Sequence, residues 1–151
     1  MKALLFPGQG VQKVGMLNFL LESDVETRNL FAQTSDVLDF DLIELIKIGP
    51  DQKLNLTEYA QPAILASSVA IARKKATDLN FSYTAGLSLG EYSALVYAEC
   101  IDFNDAIKLV NYRGKLMQDA VPEGTAGMLV VLNMPLFEVK DMIAVSYTHL
   151  T

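Results

Sequence analysis

Cysteine is almost absent from this sequence: Cys100 is the only one in 151 residues. An intramolecular disulfide and a cysteine-based metal cluster are therefore both excluded. No apolar stretch reaches the roughly 18–20 residues that a membrane span requires. The apolar run over residues 1–7 is too short for a secretory signal, and it stops at Pro7-Gly8 rather than at a small-residue cleavage site. These absences point to a cytoplasmic protein with no membrane partner. Basic charge is also scarce, with 12 Lys and Arg against 18 Asp and Glu and a formal net charge of -6. Nucleic-acid binding at that charge needs a strong local basic patch. The best candidate, Arg73-Lys74-Lys75, reads as a solvated helix end, so no nucleic-acid partner is expected. Internal repeats and low-complexity linkers are missing too.

What is present suits one ordinary core: about half of the residues are hydrophobic and a fifth are charged. Residues 2–6 read as a short buried strand that ends in the turn Pro7-Gly8-Gln9-Gly10. A helix is expected to follow through Leu21. Ser23-Asp24-Val25-Glu26 matches a capping box, so a second helix should run from there to about Leu38. Residues 41–46 fit a further turn or two, broken by Gly49-Pro50-Asp51. Pro62 suits the first turn of a helix reaching about Ala76. Residues 81–85 are strand-like, and 89–98 are helical. Asp102 caps a helix whose apolar positions include Phe103, Ala106, Ile107, Val110 and Met117. Pro122-Glu123-Gly124 ends it and marks the best candidate boundary. Residues 127–132 are strongly strand-like, and 135–143 start another helix. Strands alternating with helices predict an α/β fold with a largely parallel sheet.

Gly86-Leu87-Ser88-Leu89-Gly90 has the G-x-S-x-G pattern, with a strand-like segment before it and a helix-like one after it. In that context the serine sits on a tight, strained turn, and the helix N-terminus directs amides at its oxygen. Ser88 is thus a candidate nucleophile, and the Leu89 amide a candidate oxyanion donor. The motif alone does not separate a hydrolase from a transferase, because both pass through an acyl-enzyme.

A second candidate emerges from the helix that Asp102 caps. Arg113 lies three residues after Val110 and four before Met117, which puts it on the apolar stripe. A guanidinium facing the core is costly unless it meets an anion, and its planar fork suits a carboxylate. Gly114 beside it thins the helix and admits a neighbour or a ligand. A structural salt bridge or a snorkelling side chain would account for the pattern equally well.

Four segments together resemble the malonyl-CoA:carrier-protein transacylases and the related acyltransferase domains of polyketide and fatty acid synthases. They are Phe6-Pro7-Gly8-Gln9-Gly10, Tyr59-Ala60-Gln61-Pro62-Ala63, the run GLSLGEYSAL over residues 86–95, and Tyr112-Arg113-Gly114 with Met117-Gln118. All occur in the family's order, over residues 1 to about 143. The resemblance implies an α/β-hydrolase-like large subdomain, incomplete here, over residues 1–124. The start of an inserted ferredoxin-like small subdomain would occupy 125–144, with 127–132 as its first strand. It further implies that Ser88 carries a malonyl ester. The backbone amides of Gln9 and Leu89 would form the oxyanion hole, Arg113 would hold the free malonyl carboxylate, and Gln61 would line the same pocket. Leu87 departs from the histidine that often precedes the family's serine, which should alter the pocket beside the nucleophile.

The implied reaction is malonyl transfer from malonyl-CoA to the phosphopantetheine thiol of acyl carrier protein, in fatty acid biosynthesis, with no metal or redox cofactor. Coenzyme A and carrier proteins are anionic, so an acidic chain must meet them with local positive charge. A serine also needs a general base. The only histidine, His149, lies in residues 145–151, a segment unlike the family that resembles the translation of a sequencing adapter. The family's histidine lies further downstream, so this chain is expected to be a fragment, inactive and poorly stable alone. A serine esterase or thioesterase, or a non-catalytic fragment that binds an acyl or carrier partner, are the alternatives.

Overall fold

The computed structural model describes residues 1–76, 79–120 and 131–148. Two compact units divide the chain, Met1–Val121 and Pro122–Thr151. In the first, strand β1 (Ala3–Phe6) is followed by helices α1 (Asn18–Ser23), α2 (Val25–Ser35), α3 (Leu42–Ile48), α4 (Asp51–Asn55) and α5 (Thr57–Lys75). Strand β2 (Tyr83–Gly86) then leads into α6 (Leu89–Tyr97) and α7 (Phe103–Ala120). Helix α8 (Leu136–Thr148) belongs to the second unit. The expected strand over 127–132 falls mostly outside the described residues, as does His149.

The strands pair in parallel, with Ala3 opposite Tyr83 and Phe6 opposite Gly86. The α/β character and the parallel pairing expected from the sequence are therefore present, among the described residues, as a small two-stranded sheet. Alternation gives it two unlike faces. Phe6 packs with Ala72 and Ala94, and its ring centroid lies 5.9 Å from that of Tyr97. Leu5 and Tyr83, on the opposite face, are exposed.

The main core is built around α5. Residues Ala60 to Ser67 of this helix are buried without interruption, and Val69, Ala70 and Ala72 follow. A helix buried on all sides must be enclosed by its neighbours. Leu17, Phe31, Leu42, Ile46, Leu54, Leu89, Ile107 and Val110 supply the enclosure from six other segments.

Three local expectations are corrected. Asp24, not Ser23, caps α2: its carboxylate accepts from the Thr27 amide at 2.9 Å and the Thr27 hydroxyl at 2.7 Å. Ser23 instead ends α1 and donates to the Phe19 carbonyl. The first helix starts only at Asn18, because turns occupy the preceding residues. Pro62 is not in the first turn of its helix. It is the sixth residue of α5, a position where the missing N–H leaves the Glu58 carbonyl without its usual partner. Asn111 of α7 fills that gap, donating from Nδ2 to the Glu58 oxygen at 3.0 Å. Gly114, one turn on, lets the helices close up: a Cβ there would lie 2.6 Å from the Glu58 Cα.

Two predictions follow from these contacts. Replacing Asn111 with Leu keeps bulk but orphans a buried carbonyl, a cost of about 1–3 kcal/mol. In a Pro62→Ala background the restored N–H can take the Glu58 carbonyl, so the same substitution should cost clearly less. Urea midpoints for the four variants of this cycle check it; equal costs in both backgrounds would refute the compensation. The second prediction concerns Asp24. Its carboxyl is lowered from 3.8 to about 2, first by the Lys74 ammonium that donates to it at 2.7 Å, then by Thr27. A depressed carboxyl stabilises the fold above its unfolded pKa, and that contribution disappears as pH falls through the folded value. The urea midpoint of the parent should therefore exceed that of Asp24→Asn at neutral pH. The gap should close between pH about 4 and about 2; a gap of constant size would contradict the assignment.

Candidate active site

Strand β2 ends at Gly86, and α6 begins three residues later at Leu89. Ser88 lies between them with φ 53° and ψ -100°. A non-glycine residue in the left-handed half of the map costs about 1–3 kcal/mol, so its neighbours must hold it there. They do so by crowding. A Cβ on Gly90 would stand 2.3 Å from the Phe6 carbonyl oxygen, and one on Gly86 would stand 2.0 Å from the Gly90 carbonyl carbon. Only glycine at both positions lets the end of β1, the turn and the first turn of α6 pass this closely. The Leu87 amide adds a hydrogen bond to the Phe6 carbonyl at 3.3 Å.

Serine at a helix N-cap ordinarily turns its hydroxyl onto the helix amides. Ser88 makes no such side-chain cap. Its Oγ is exposed and accepts from Arg113 Nη2 at 2.8 Å. Arg113 Nη1 donates to Gln61 Oε1 at 2.8 Å, and Gln61 Nε2 donates to the Met117 sulfur at 3.3 Å. The Arg113 guanidinium carbon also lies 5.7 Å from the centre of the Tyr92 ring. Three helices thus converge on one point: α6 brings Ser88 and Tyr92, α5 brings the fully buried Gln61, and α7 brings Arg113 and Met117.

Of the residues expected from the sequence, Ser88, Arg113 and Gln61 are brought into direct contact. Leu89 is buried at the start of α6, where its amide is among the helix's orphan donors. Gln9 is exposed on the turn after β1, and its side chain reaches Thr57 Oγ1 at 3.3 Å. Leu87 is 74 % exposed and points out of the core. Arg113 does not lie on the buried stripe expected from the helical spacing. The buried line of α7 continues from Val110 through Asn111 to Gly114. Arg113 lies at its edge, half-buried, and Met117 is 43 % exposed. The helix turns its glycine, not its arginine, into the tight contact with α5.

Among the described residues, Arg113 forms no ion pair; both its hydrogen-bond partners are neutral. The salt-bridge reading of this arginine therefore finds no support. Tyr92, Thr57 and Met117 had no assigned role from sequence. Tyr92 was within reach of a simple argument, since it follows Ser88 by four residues on the same helix. No group of three or more His, Cys, Asp or Glu side chains among the described residues is placed to hold a metal ion. No described helix is long and apolar enough to cross a membrane.

Residues 3–145 match the acyl transferase domain family. A malonyl CoA-acyl carrier protein transacylase of Haemophilus influenzae is 52 % identical over 135 residues, which is 87 % of this chain and 43 % of that protein. The crystal structure of a malonyl CoA-acyl carrier protein transacylase from Clostridium perfringens superposes with a TM-score of 0.88 at 40 % identity, over 99 % of this chain and 48 % of its own. A malonyl-transacylase solved in complex with a type II polyketide-synthase acyl-carrier protein is 53 % identical, with a TM-score of 0.76, over 81 % of this chain and 40 % of that one. The chain spans less than half the length of each of these relatives.

The elbow geometry makes a direct prediction. Gly90→Ala would drive a methyl into the Phe6 carbonyl, and forced overpacking of this kind costs about 1–3 kcal/mol. Thermal denaturation of the variant should show the loss; an unchanged transition would mean that the turn has room to spare.

Proposed function

The chain belongs to the acyl transferase domain family, and on that premise we propose that it is the nucleophile-bearing part of a malonyl-CoA:acyl-carrier-protein transacylase acting in fatty acid biosynthesis. One observation carries the choice of substrate. A half-buried guanidinium with no acidic partner among the described residues lies 2.8 Å from the elbow serine. An esterase needs the serine but has no use for that charge. Malonyl is an acyl group that keeps a carboxylate, and a planar donor fork beside the acylating oxygen suits it.

In the proposed reaction Ser88 Oγ attacks the thioester carbonyl of malonyl-CoA while its proton passes to a general base. The oxyanion that forms is held by the backbone amides of Gln9 and Leu89. The C–S bond breaks, the CoA thiolate takes up a proton, and malonyl remains as an ester on Ser88. The phosphopantetheine thiol of acyl carrier protein then attacks the ester by the reverse steps, and Ser88 regains its proton. Arg113 holds the malonyl carboxylate throughout, with Gln61 steadying the guanidinium. Acyl exchange between oxygen and sulfur is redox-neutral and calls for no metal or redox cofactor.

The base belongs to the remainder of the whole protein, since the relatives are more than twice as long as this chain. The same remainder would complete an α/β-hydrolase-like large subdomain and a ferredoxin-like small one, the latter starting after about residue 124. The exposed Leu5 and Tyr83 on the open face of the sheet support this, because parallel sheets are normally covered on both sides.

Arg113→Ala in the whole protein tests the reading. Transfer from malonyl-CoA to the carrier protein should fall by about a hundredfold or more, in line with a lost charge-assisted contact. Transfer from acetyl-CoA, which has no carboxylate to hold, should fall far less. Equal losses on the two donors, measured side by side, would sink the carboxylate role.

A further inference from the structure

We infer that Tyr92 is a positioning residue for malonyl selectivity, acting as an aromatic platform for the Arg113 guanidinium. The inference rests on the carboxylate role of Arg113 proposed above and assigns a new residue to the same site.

Two hydrogen bonds hold Arg113, one to Gln61 and one to Ser88. Only the first survives catalysis unchanged. Once Ser88 becomes an ester, its oxygen is a poorer acceptor, and the Nη2 arm must turn to the substrate carboxylate. During that exchange Gln61 holds only the Nη1 arm, and a second support must be neither anionic nor consumed by the reaction. A carboxylate support would neutralise the charge that the substrate requires. The face of an aromatic ring attracts a cation through its quadrupole while leaving every N–H free to donate.

Tyr92 meets those conditions. The Arg113 guanidinium carbon is 5.7 Å from its ring centre, inside the range of about 6 Å for such contacts. The ring is half-buried and packs against the main core, so it is held in place. It stands one helical turn after Ser88 on α6. One rigid helix therefore carries both the nucleophile and the platform, which fixes the distance between the acylated oxygen and the guanidinium. Arginine also flexes about several bonds, and an unsupported side chain would lose part of its affinity to the entropy of ordering.

The test replaces Tyr92 in the whole protein by phenylalanine and by phenylalanines bearing one, two and three ring fluorines. These keep the ring's shape and weaken its quadrupole stepwise. The ratio of kcat/KM for malonyl-CoA to that for acetyl-CoA should hold within about twofold for Tyr92→Phe. It should then fall stepwise with fluorination, reaching about a tenfold loss for the trifluorinated ring. A purely structural ring would affect both donors alike and leave the ratio flat, and a flat ratio would overturn the inference. So would a loss already complete in Tyr92→Phe, which would assign the effect to the hydroxyl. Arg113→Ala is assayed in parallel. If it fails to separate the donors, the carboxylate reading falls and this inference falls with it. If it separates them while the fluorinated series stays flat, only the platform role is refuted.

Discussion

The contact between α5 and α7 at Glu58 is the constraint on which the site depends. Pro62 removes the N–H that would have paired the Glu58 carbonyl, and Asn111 of the neighbouring helix supplies the replacement. The substitution ties two helices together at the point where one of them would otherwise be weakest. Gly114 then allows their backbones to close to a distance that no other residue tolerates. Gln61 directly precedes Pro62, and Arg113 directly precedes Gly114. The bond that compensates the proline thus also places Gln61 Oε1 within 2.8 Å of the guanidinium. Stability and site geometry share one set of residues here, which makes drift of the arginine without loss of the fold difficult.

A separate device sets Ser88, the candidate nucleophile. The strained backbone of Ser88 is maintained by β1 and β2 lying in register up to Phe6 and Gly86, and by glycines that let α6 begin almost on top of the strand ends. The elbow and the α5–α7 clamp share the main core, where Leu89 packs with residues of both helices, and they meet again through the bond between Arg113 Nη2 and Ser88 Oγ and through Tyr92, which rides on the elbow's own helix. The elbow thus fixes Ser88, and the clamp sets the guanidinium beside it.

How far the sequence discloses this varies with the range of the interaction. Features set by neighbouring residues were legible: β1, the elbow at Gly86 to Gly90, and the cap of α7, where Asp102 accepts from the Asn104 amide at 2.8 Å. The candidate residues Ser88, Arg113 and Gln61 were legible as types in order, and the fold brings them together. Features decided by distant partners were not. Pro62 reads as a helix start because local rules disfavour it in the interior, and Asn111, 49 positions away, supplies the hydrogen bond that the proline removes. Helix α4, five residues long, is too short to leave a periodic signal. The stripe on α7 misplaced Arg113 and Met117 by about one position, since helical spacing alone cannot say that the tightest contact falls on a glycine. Ser23 and Asp24 both make acceptable caps, and the choice went to the carboxylate that could also meet Lys74 on α5.

The polarity of the chain from Met117 to Ser88 follows from chemistry rather than from any single distance. A thioether sulfur can only accept, and a guanidinium can only donate. The amide of Gln61 lies between them, fully buried, so its NH₂ must face the sulfur and its oxygen must face Arg113. A flipped amide would set donor against donor at one end and acceptor against acceptor at the other. A glutamate in its place would satisfy the guanidinium too well, because a buried opposite charge would neutralise it before any substrate arrived. Glutamine instead orients the arginine through a dipole, and among the described residues no acidic partner compensates its charge beside Ser88. That residual charge, set beside Ser88 in an otherwise acidic chain, is the feature on which the proposed carboxylate-binding role of Arg113 rests.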